Sequence, residues 1–269
     1  MCAVYHKYLR LDNLPHIWCP GCGNGIIMGA FIRAMEDLKY SQNEVVVVSG
    51  IGCSGRISGY LDFNTLHTTH GRALAFATGI KAAEPRLKIF TFMGDGDATA
   101  IGGNHLIHTC SRNIDMTAII INNSTFGMTG GQFSPLTPKG KKASTAPYGT
   151  VEKSFDIAAL AQAAGATFVA RVGIYQVNLL RELIVKASRH KGFALLEVIS
   201  QCPVNYGRRN EMGSPVEMLV HQKEKIQRIK SDQKLGKYYG QIFQCEQPEF
   251  MEEYEKMTAQ AQKKGGYDD

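Results

Sequence analysis

No stretch of this 269-residue sequence is apolar for long enough to cross a bilayer, which takes about 20 residues. A membrane span is therefore not expected. The first residues, MCAVYHKYLRLDNLPHIW, lack an apolar h-region and a cleavage pattern, so they do not read as a secretory signal. Disulfides are not expected either. The seven cysteines are odd in number and scattered over a chain too long to need staples. A reducing, cytoplasmic location is the expectation that follows. There is no internal repeat, and no low-complexity tract apart from the polar last few residues. The basic residues do not interleave with aromatics along any one element, which argues against nucleic acid as a partner. What is present is ordinary for a globular protein: 44% hydrophobic, 20% charged, net charge +6. Part of the positive excess lies in Lys139, Lys141 and Lys142 and in the run from Lys223 to Lys230. Such runs are usually solvated surface, and can also attract an acidic partner protein.

Short β-branched runs alternate with amphipathic stretches. The runs EVVVVSG (44–50), LKIFTFMGDG, MTAIIINN, TFVARV and FALLEVIS read as buried strands. Helical patterns lie between them at 25–38, 72–83, 104–110, 155–164 and 175–190, with Gly165 as a C-terminal cap. The alternation predicts an α/β domain over 1–202, a mostly parallel sheet with helices on both faces. Residues 203–269 are polar and carry two charged helical patterns. They are expected to be an extension wrapping the domain or a partner. The segment 125–150 has loop chemistry, and a loop that long in a compact domain is usually functional or mobile.

Two chemical signals share this framework. Cys19 and Cys22 form a CxxC in WCPGCGNG, while Cys53 and Cys202 stand singly in SGIGCSGR and ISQCPVNYG. Four thiolates suit an iron–sulfur cluster or zinc. Taken alone, the CxxC also suits a redox dithiol or two buried thiols. Cys2, Cys110 and Cys245 read as ordinary residues. The second signal is Gly94-Asp95-Gly96 after one strand and Asn122-Asn123 after the next. The spacing leaves room for one helix and one strand, which puts Asp95 and Asn123 at neighbouring strand ends. Asp, Asn and a backbone carbonyl, with diphosphate oxygens and water, would complete a Mg²⁺ octahedron. Gly94 and Gly96 let the backbone approach phosphates, and His70 is placed to donate to one. The pairs His67/His70 and His105/His108 lack the HExxH glutamate, so structural roles are expected for them. Cys53, Asp95, Asn123 and Cys202 all follow predicted strands, where α/β sheets bind ligands.

The GDG-to-NN pattern resembles that of thiamine diphosphate enzymes. Over about residues 14–215 the chain is similar to the β subunits of 2-oxoacid:ferredoxin oxidoreductases. The resemblance is carried by WCPGCG, SGIGCSGR, LHTTHGRALAFATGIK, FMGDGDATAIGGNHLIHTCSRN, INNSTFGMTGGQFSPLTP and QCP. It implies a thiamine-diphosphate-binding fold of the diphosphate-module type. It implies a [4Fe-4S] cluster on Cys19, Cys22, Cys53 and Cys202, and Mg²⁺ on Asp95, Asn123 and the carbonyl of Thr125. Thiamine diphosphate contacts are implied for Ile51, Gly52, Cys53, Ser54, His70, Gly96, Asp97, Gly127 and Met128. Phe126 departs from the family, where Tyr is common. The family's reaction is oxidative decarboxylation of a 2-oxoacid, with coenzyme A as acyl acceptor and ferredoxin as electron acceptor. The chain has room for only one cofactor module, so a separate α subunit is expected, supplying the glutamate that faces the aminopyrimidine and the coenzyme A and substrate contacts. No residue of this chain is assigned as the catalytic acid or base. Arg56 is expected to pair with a second substrate carboxylate and Met128 to wall the same pocket, which favours 2-oxoglutarate over pyruvate or another 2-oxoacid. Two other classes stay open: a thiamine enzyme with structural cysteines, and a zinc-stabilised binding module without catalysis.

Overall fold

The computed structural model of the chain describes residues 2–225 and 240–265. Positions 226–230 of the basic run lie outside the described residues. In chain order the helices and strands are α1 (Cys2–Tyr8), α2 (Asn24–Leu38), β1 (Val45–Ser49), α3 (Ile57–Tyr60), β2 (Asn64–His67), α4 (Ala73–Ala83), β3 (Lys88–Gly94), α5 (Gly103–Ser111), β4 (Met116–Asn122), α6 (Ile157–Ala163), β5 (Phe168–Gly173), α7 (Val177–Arg189), β6 (Phe193–Ile199), α8 (Pro215–Lys225), β7 (Gly240–Gln244) and α9 (Phe250–Gly265). One seven-stranded sheet runs in the order β2-β1-β3-β4-β6-β5-β7. All pairings are parallel except β5 with β7. The α/β class, the mostly parallel sheet and its helix-covered faces are as expected from the alternation.

Strict period-two alternation in the β-branched runs explains the two cores. Val45, Val47, Phe90, Phe92, Ile119 and Ile121 face one side, against α2 and α7. Val46, Val48, Ile89, Met93, Ala118 and Ile120 face the other, with Ala73 and Leu74 of α4, Leu106 of α5 and Ile157 of α6. A strand buried on both faces needs such continuous apolar composition.

Two strands were not legible in the sequence. NTLH of β2 is half exposed at the sheet edge, so no apolar run marks it. GQIFQ of β7 pairs antiparallel with β5. The segment after residue 202 therefore contributes an edge strand to the same sheet, and α9 is anchored by Glu249, whose carboxylate accepts from the N–H groups of Asp115 and Glu252 at 3.0 Å each.

β1 has β2 on one side and β3 on the other. The chain thus leaves β1 and β3 in opposite directions, which opens a crevice at their C-terminal ends. Such a switch point is where open α/β sheets bind ligands.

Candidate active site

A cleft of about 460 Å³ occupies this crevice. Its walls come from Ile51–Ser54 after β1, His70, Gly94–Asp97 after β3, and Asn123 with Thr125–Thr129 after β4. The thirteen residues assigned in the sequence to the cofactor and the cation all line it. Phe126 and Thr129 line it as well. Arg56 does not: it sits one turn beyond Cys53, outside the lining, with its Nε buried and unpartnered among the described residues.

Two carboxylates on the β3 turn dominate the electrostatics. Asp95 is 1% exposed, and its Oδ2 accepts from the Ser134 hydroxyl. Burial pushes its pKa up to about 7, and the charge of Glu197 adds to the shift, against the hydrogen bonds from Ser134 and the Gly96 N–H. Asp97 is 2% exposed. Its Oδ1 pairs with His70 Nδ1 and accepts from the Gly71 N–H at 2.7 Å. Its pKa is also raised, by burial first. Asp97 Oδ2 is buried with no partner among the described residues. A side chain at Gly50 would overlap that oxygen, and one at Gly96 would overlap the Phe126 ring. Glycine at both positions lets these side chains close on the backbone here.

Beyond β4 the chain turns through two successive side-chain-capped turns. Asn122 Oδ1 accepts from the Ser124 N–H at 3.2 Å, and Asn123 Oδ1 from the Thr125 N–H at 3.3 Å. Ser124 has φ +61°, an uncommon conformation that such turns support. The Thr125 hydroxyl donates to the Gln132 carbonyl at 2.9 Å. The long loop is tied down rather than loose. Phe126 N–H bonds Gln132 O at 3.0 Å, Ser144 N–H bonds Gly131 O at 2.8 Å, and Asn205 Nδ2 donates to Gly127 O at 2.7 Å. Ser134 carried no signal in the sequence; only the fold brings it to Asp95.

The residues fit a divalent cation and a diphosphate. Two desolvated carboxylates line the cleft, and a cation on Asp95 would offset the cost of burying its charge. His70 has spent Nδ1 on Asp97, so Nε2 is the nitrogen left to meet a phosphate oxygen.

Of the four sequence-assigned cysteines Cys53 lines the cleft, Cys202 adjoins it at Gly127, and Cys19 and Cys22 neighbour these two. A Cβ on Gly127 would lie 3.5 Å from Cys53 Sγ and 3.7 Å from Cys202 Sγ. Burial raises the Cys22 and Cys53 thiols to about 11 each, and the neighbouring cysteines add to both shifts. Trp18 Nε1 donates to the Cys53 carbonyl at 2.7 Å, and Gln201 Nε2 to the Gly21 carbonyl at 2.9 Å. These bonds lock the CxxC loop to the two single-cysteine loops. Cys110 is buried in the opposite core with its thiol raised to about 12, which suits an inert residue. Among the described residues no three His, Cys, Asp or Glu side chains close around a point as tightly as one bare ion requires. The histidine pairs likewise form no such group.

Comparisons with known proteins agree with this geometry. The profile of the thiamine pyrophosphate enzyme C-terminal TPP binding domain matches residues 50–198. The 2-oxoglutarate synthase subunit KorB of Archaeoglobus fulgidus is 56% identical over 85% of this chain and 83% of its own length. The KorB subunit of Methanocaldococcus jannaschii is 51% identical over 93% of this chain and 96% of its own. Among solved structures, 2-oxoglutarate:ferredoxin oxidoreductase from Magnetococcus marinus, with 2-oxoglutarate, coenzyme A and succinyl-CoA bound, superposes with a TM-score of 0.88. It is 30% identical, over 98% of this chain and 92% of that one. The chain is thus a thiamine pyrophosphate enzyme by its domain, and it belongs to the β-subunit family of the 2-oxoacid:ferredoxin oxidoreductases.

Proposed function

We propose that this chain is the cofactor-bearing β subunit of an enzyme that converts 2-oxoglutarate, coenzyme A and oxidised ferredoxin to succinyl-CoA, CO₂ and reduced ferredoxin. The substrate assignment is supported by the KorB relatives and by the 2-oxoglutarate-bound neighbour. A separate α subunit completes the site. No helix among the described residues is long and apolar enough to cross a membrane.

When bound, thiamine diphosphate supplies the carbon nucleophile that permits decarboxylation, and an iron–sulfur cluster accepts electrons singly. The chain's own residues prepare that chemistry. Asp95, Asn123 and the Thr125 carbonyl would hold Mg²⁺ on the diphosphate, with Asp95 giving charge and the other two giving neutral oxygens. Asp97 fixes the His70 ring through Nδ1, leaving the other nitrogen for the diphosphate. Ile51, Gly52, Ser54, Gly94, Gly96, Gly127 and Met128 would form the walls that exclude water. Cys19, Cys22, Cys53 and Cys202 would hold a [4Fe-4S] cluster. Arg56 stands as the proposed partner of the distal substrate carboxylate, on the strength of its unpaired buried Nε.

One observation carries the reading: Cys53 lines the cofactor cleft and also adjoins Cys202 across Gly127. A cluster held by Cys53 and Cys202 would therefore adjoin the cofactor cleft and could accept electrons from it. The test is reconstitution with the α subunit, followed by ferredoxin reduction dependent on both 2-oxoglutarate and coenzyme A. A preference for pyruvate would change the substrate. Zinc in place of iron would return the chain to the binding-module class, and bound thiamine diphosphate without iron would make the cysteines structural.

A further inference from the structure

Asn123 is the residue the cation needs, yet its neighbour Asn122 is bonded at both ends. The Asn122 amide donates through Nδ2 to Glu197 Oε1 at 2.7 Å, and its Oδ1 accepts from the Ser124 N–H at 3.2 Å. Glu197 is 2% exposed, in the middle of β6, and its Oε2 accepts from Arg171 Nε at 2.6 Å. Arg171 lies directly opposite on β5, and its second nitrogen, Nη2, donates to Asp156 Oδ1 at 2.6 Å. Asp156 in turn caps α6 by accepting from the Ala159 N–H. The register explains why these groups meet. Glu197 stands level with Ile120 on β4, and Asn122 projects from the same face two residues on.

We propose that Arg171, Glu197 and Asn122 form a buried positioning relay that sets the turn carrying the cation ligands Asn123 and Thr125. An ion pair inside a sheet is costly to bury and, compared with apolar packing, is a weak source of stability. It is good at fixing one geometry, because each carboxylate oxygen is committed to a different donor. Here one oxygen belongs to the guanidinium and the other to the amide that caps Ser124. The left-handed Ser124 conformation is held by that amide, and the next residue's N–H closes on Asn123 Oδ1 at 3.3 Å, so the amide sits directly behind the turn that carries Asn123 and Thr125. Arg171, Glu197 and Asn122 do not line the cleft; they are positioning residues that act through the backbone, as groups behind metal ligands commonly do. None of them was singled out for this role in the sequence, where FALLEVIS reads simply as a buried strand.

The inference rests on the cation reading of Asp95 and Asn123, so the experiment separates the two. Mg²⁺ is titrated calorimetrically into the α/β complex with thiamine diphosphate present, for wild type, Asn122→Ala, Asn122→Ser and Asn123→Ala. Serine can still accept from the Ser124 N–H but is too short to reach Glu197. Both Asn122 variants should bind Mg²⁺ at least about tenfold more weakly, with unchanged iron content, and turnover should recover at saturating Mg²⁺. That split between metal affinity and kcat is one that a merely destabilised fold would not produce. If Asn123→Ala weakens Mg²⁺ while the Asn122 variant that folds binds within twofold of wild type, the relay is refuted and the cation site stands. If Asn123→Ala itself binds like wild type, both fall.

Discussion

The two halves of the site are assembled by opposite means. The cation half comes from consecutive strand ends, and its polar groups are braced before any ligand arrives. Asp95 is held by Ser134, Asp97 by His70 and the Gly71 N–H, and Asn122 by Glu197. The thiol half draws on distant loops, and its braces reach only backbone carbonyls, from Trp18 and Gln201. The Cys22 and Cys53 thiols sit in surroundings that oppose their ionisation. Burial raises the Asp95 and Asp97 carboxyls as well, so in both halves a bound metal would favour the ionised form, and the halves differ in how firmly their groups are braced. Damage to either should leave the other standing, and the damage should be steeper at the thiol end.

The largest effect is expected there. Cys53→Ser or Cys202→Ser should abolish iron binding and electron transfer to ferredoxin, because a lost thiolate ligand has no neighbour to replace it. Thiamine diphosphate binding should survive in part. Full iron content in both variants would remove the ligand assignment. Loading also has a proton signature. Cys22 and Cys53 lie near 11 without metal, so at neutral pH cluster assembly must release their protons. A reconstitution with no proton uptake by a weak buffer would contradict the ligand assignment.

At the cation end, Asp95→Ala should weaken thiamine diphosphate binding in Mg²⁺ by at least about a hundredfold, the upper part of the range for lost metal-site groups, with iron unchanged. Calorimetry reads the first and metal analysis the second. Unchanged cofactor affinity would show that Asp95 is not the anchor.

The pH dependence sharpens the same contrast. Asp95 rises to about 7 in the folded chain, against about 3.9 when unfolded. The folded state therefore binds its proton more tightly. Without a cation, Asp95 costs stability progressively as pH rises from about 4 to about 7, and the cost is complete above that. A divalent cation competes with that proton. Mg²⁺ affinity should climb up to about tenfold per pH unit below 7 and level off above. Asp95→Asn should flatten the apo stability profile in that window. A cation affinity independent of pH between 5 and 7 would contradict the burial of Asp95.

The smallest effect concerns the substrate. Losing a charge-assisted pair costs about 1.5–3 kcal/mol, so Arg56→Met should lower kcat/KM for 2-oxoglutarate at least about tenfold while sparing 2-oxobutyrate. Equal losses for both would assign Arg56 a packing role, in keeping with its place outside the cleft lining.

Much of this was readable in advance, for physical reasons. The doubly buried strands announce themselves by unbroken β-branched runs, and a motif at a strand end is placed by the topology alone. Asp95 and Asn123 were legible because β3 and β4 are adjacent and parallel. The edge strands β2 and β7 were not, because their half-exposed residues leave no apolar signature. Ser134 and Glu197 were missed for another reason. Each works through a partner 39 or 75 residues away, and no spacing in the sequence encodes that. Arg56 is the converse case: it is close to Cys53 in sequence, yet the short turn after Cys53 places it outside the cleft lining, with its Nε buried and unpartnered among the described residues.

The central claim is that one chain carries a cluster and a cofactor socket sharing Cys53. The most direct test is a count of iron, acid-labile sulfide and zinc on the anaerobically purified chain, beside Cys53→Ser and Asp95→Ala. About four irons and four sulfides per chain, lost in Cys53→Ser and kept in Asp95→Ala, is the expected result. Stoichiometric zinc without sulfide, or iron retained in Cys53→Ser, would contradict it.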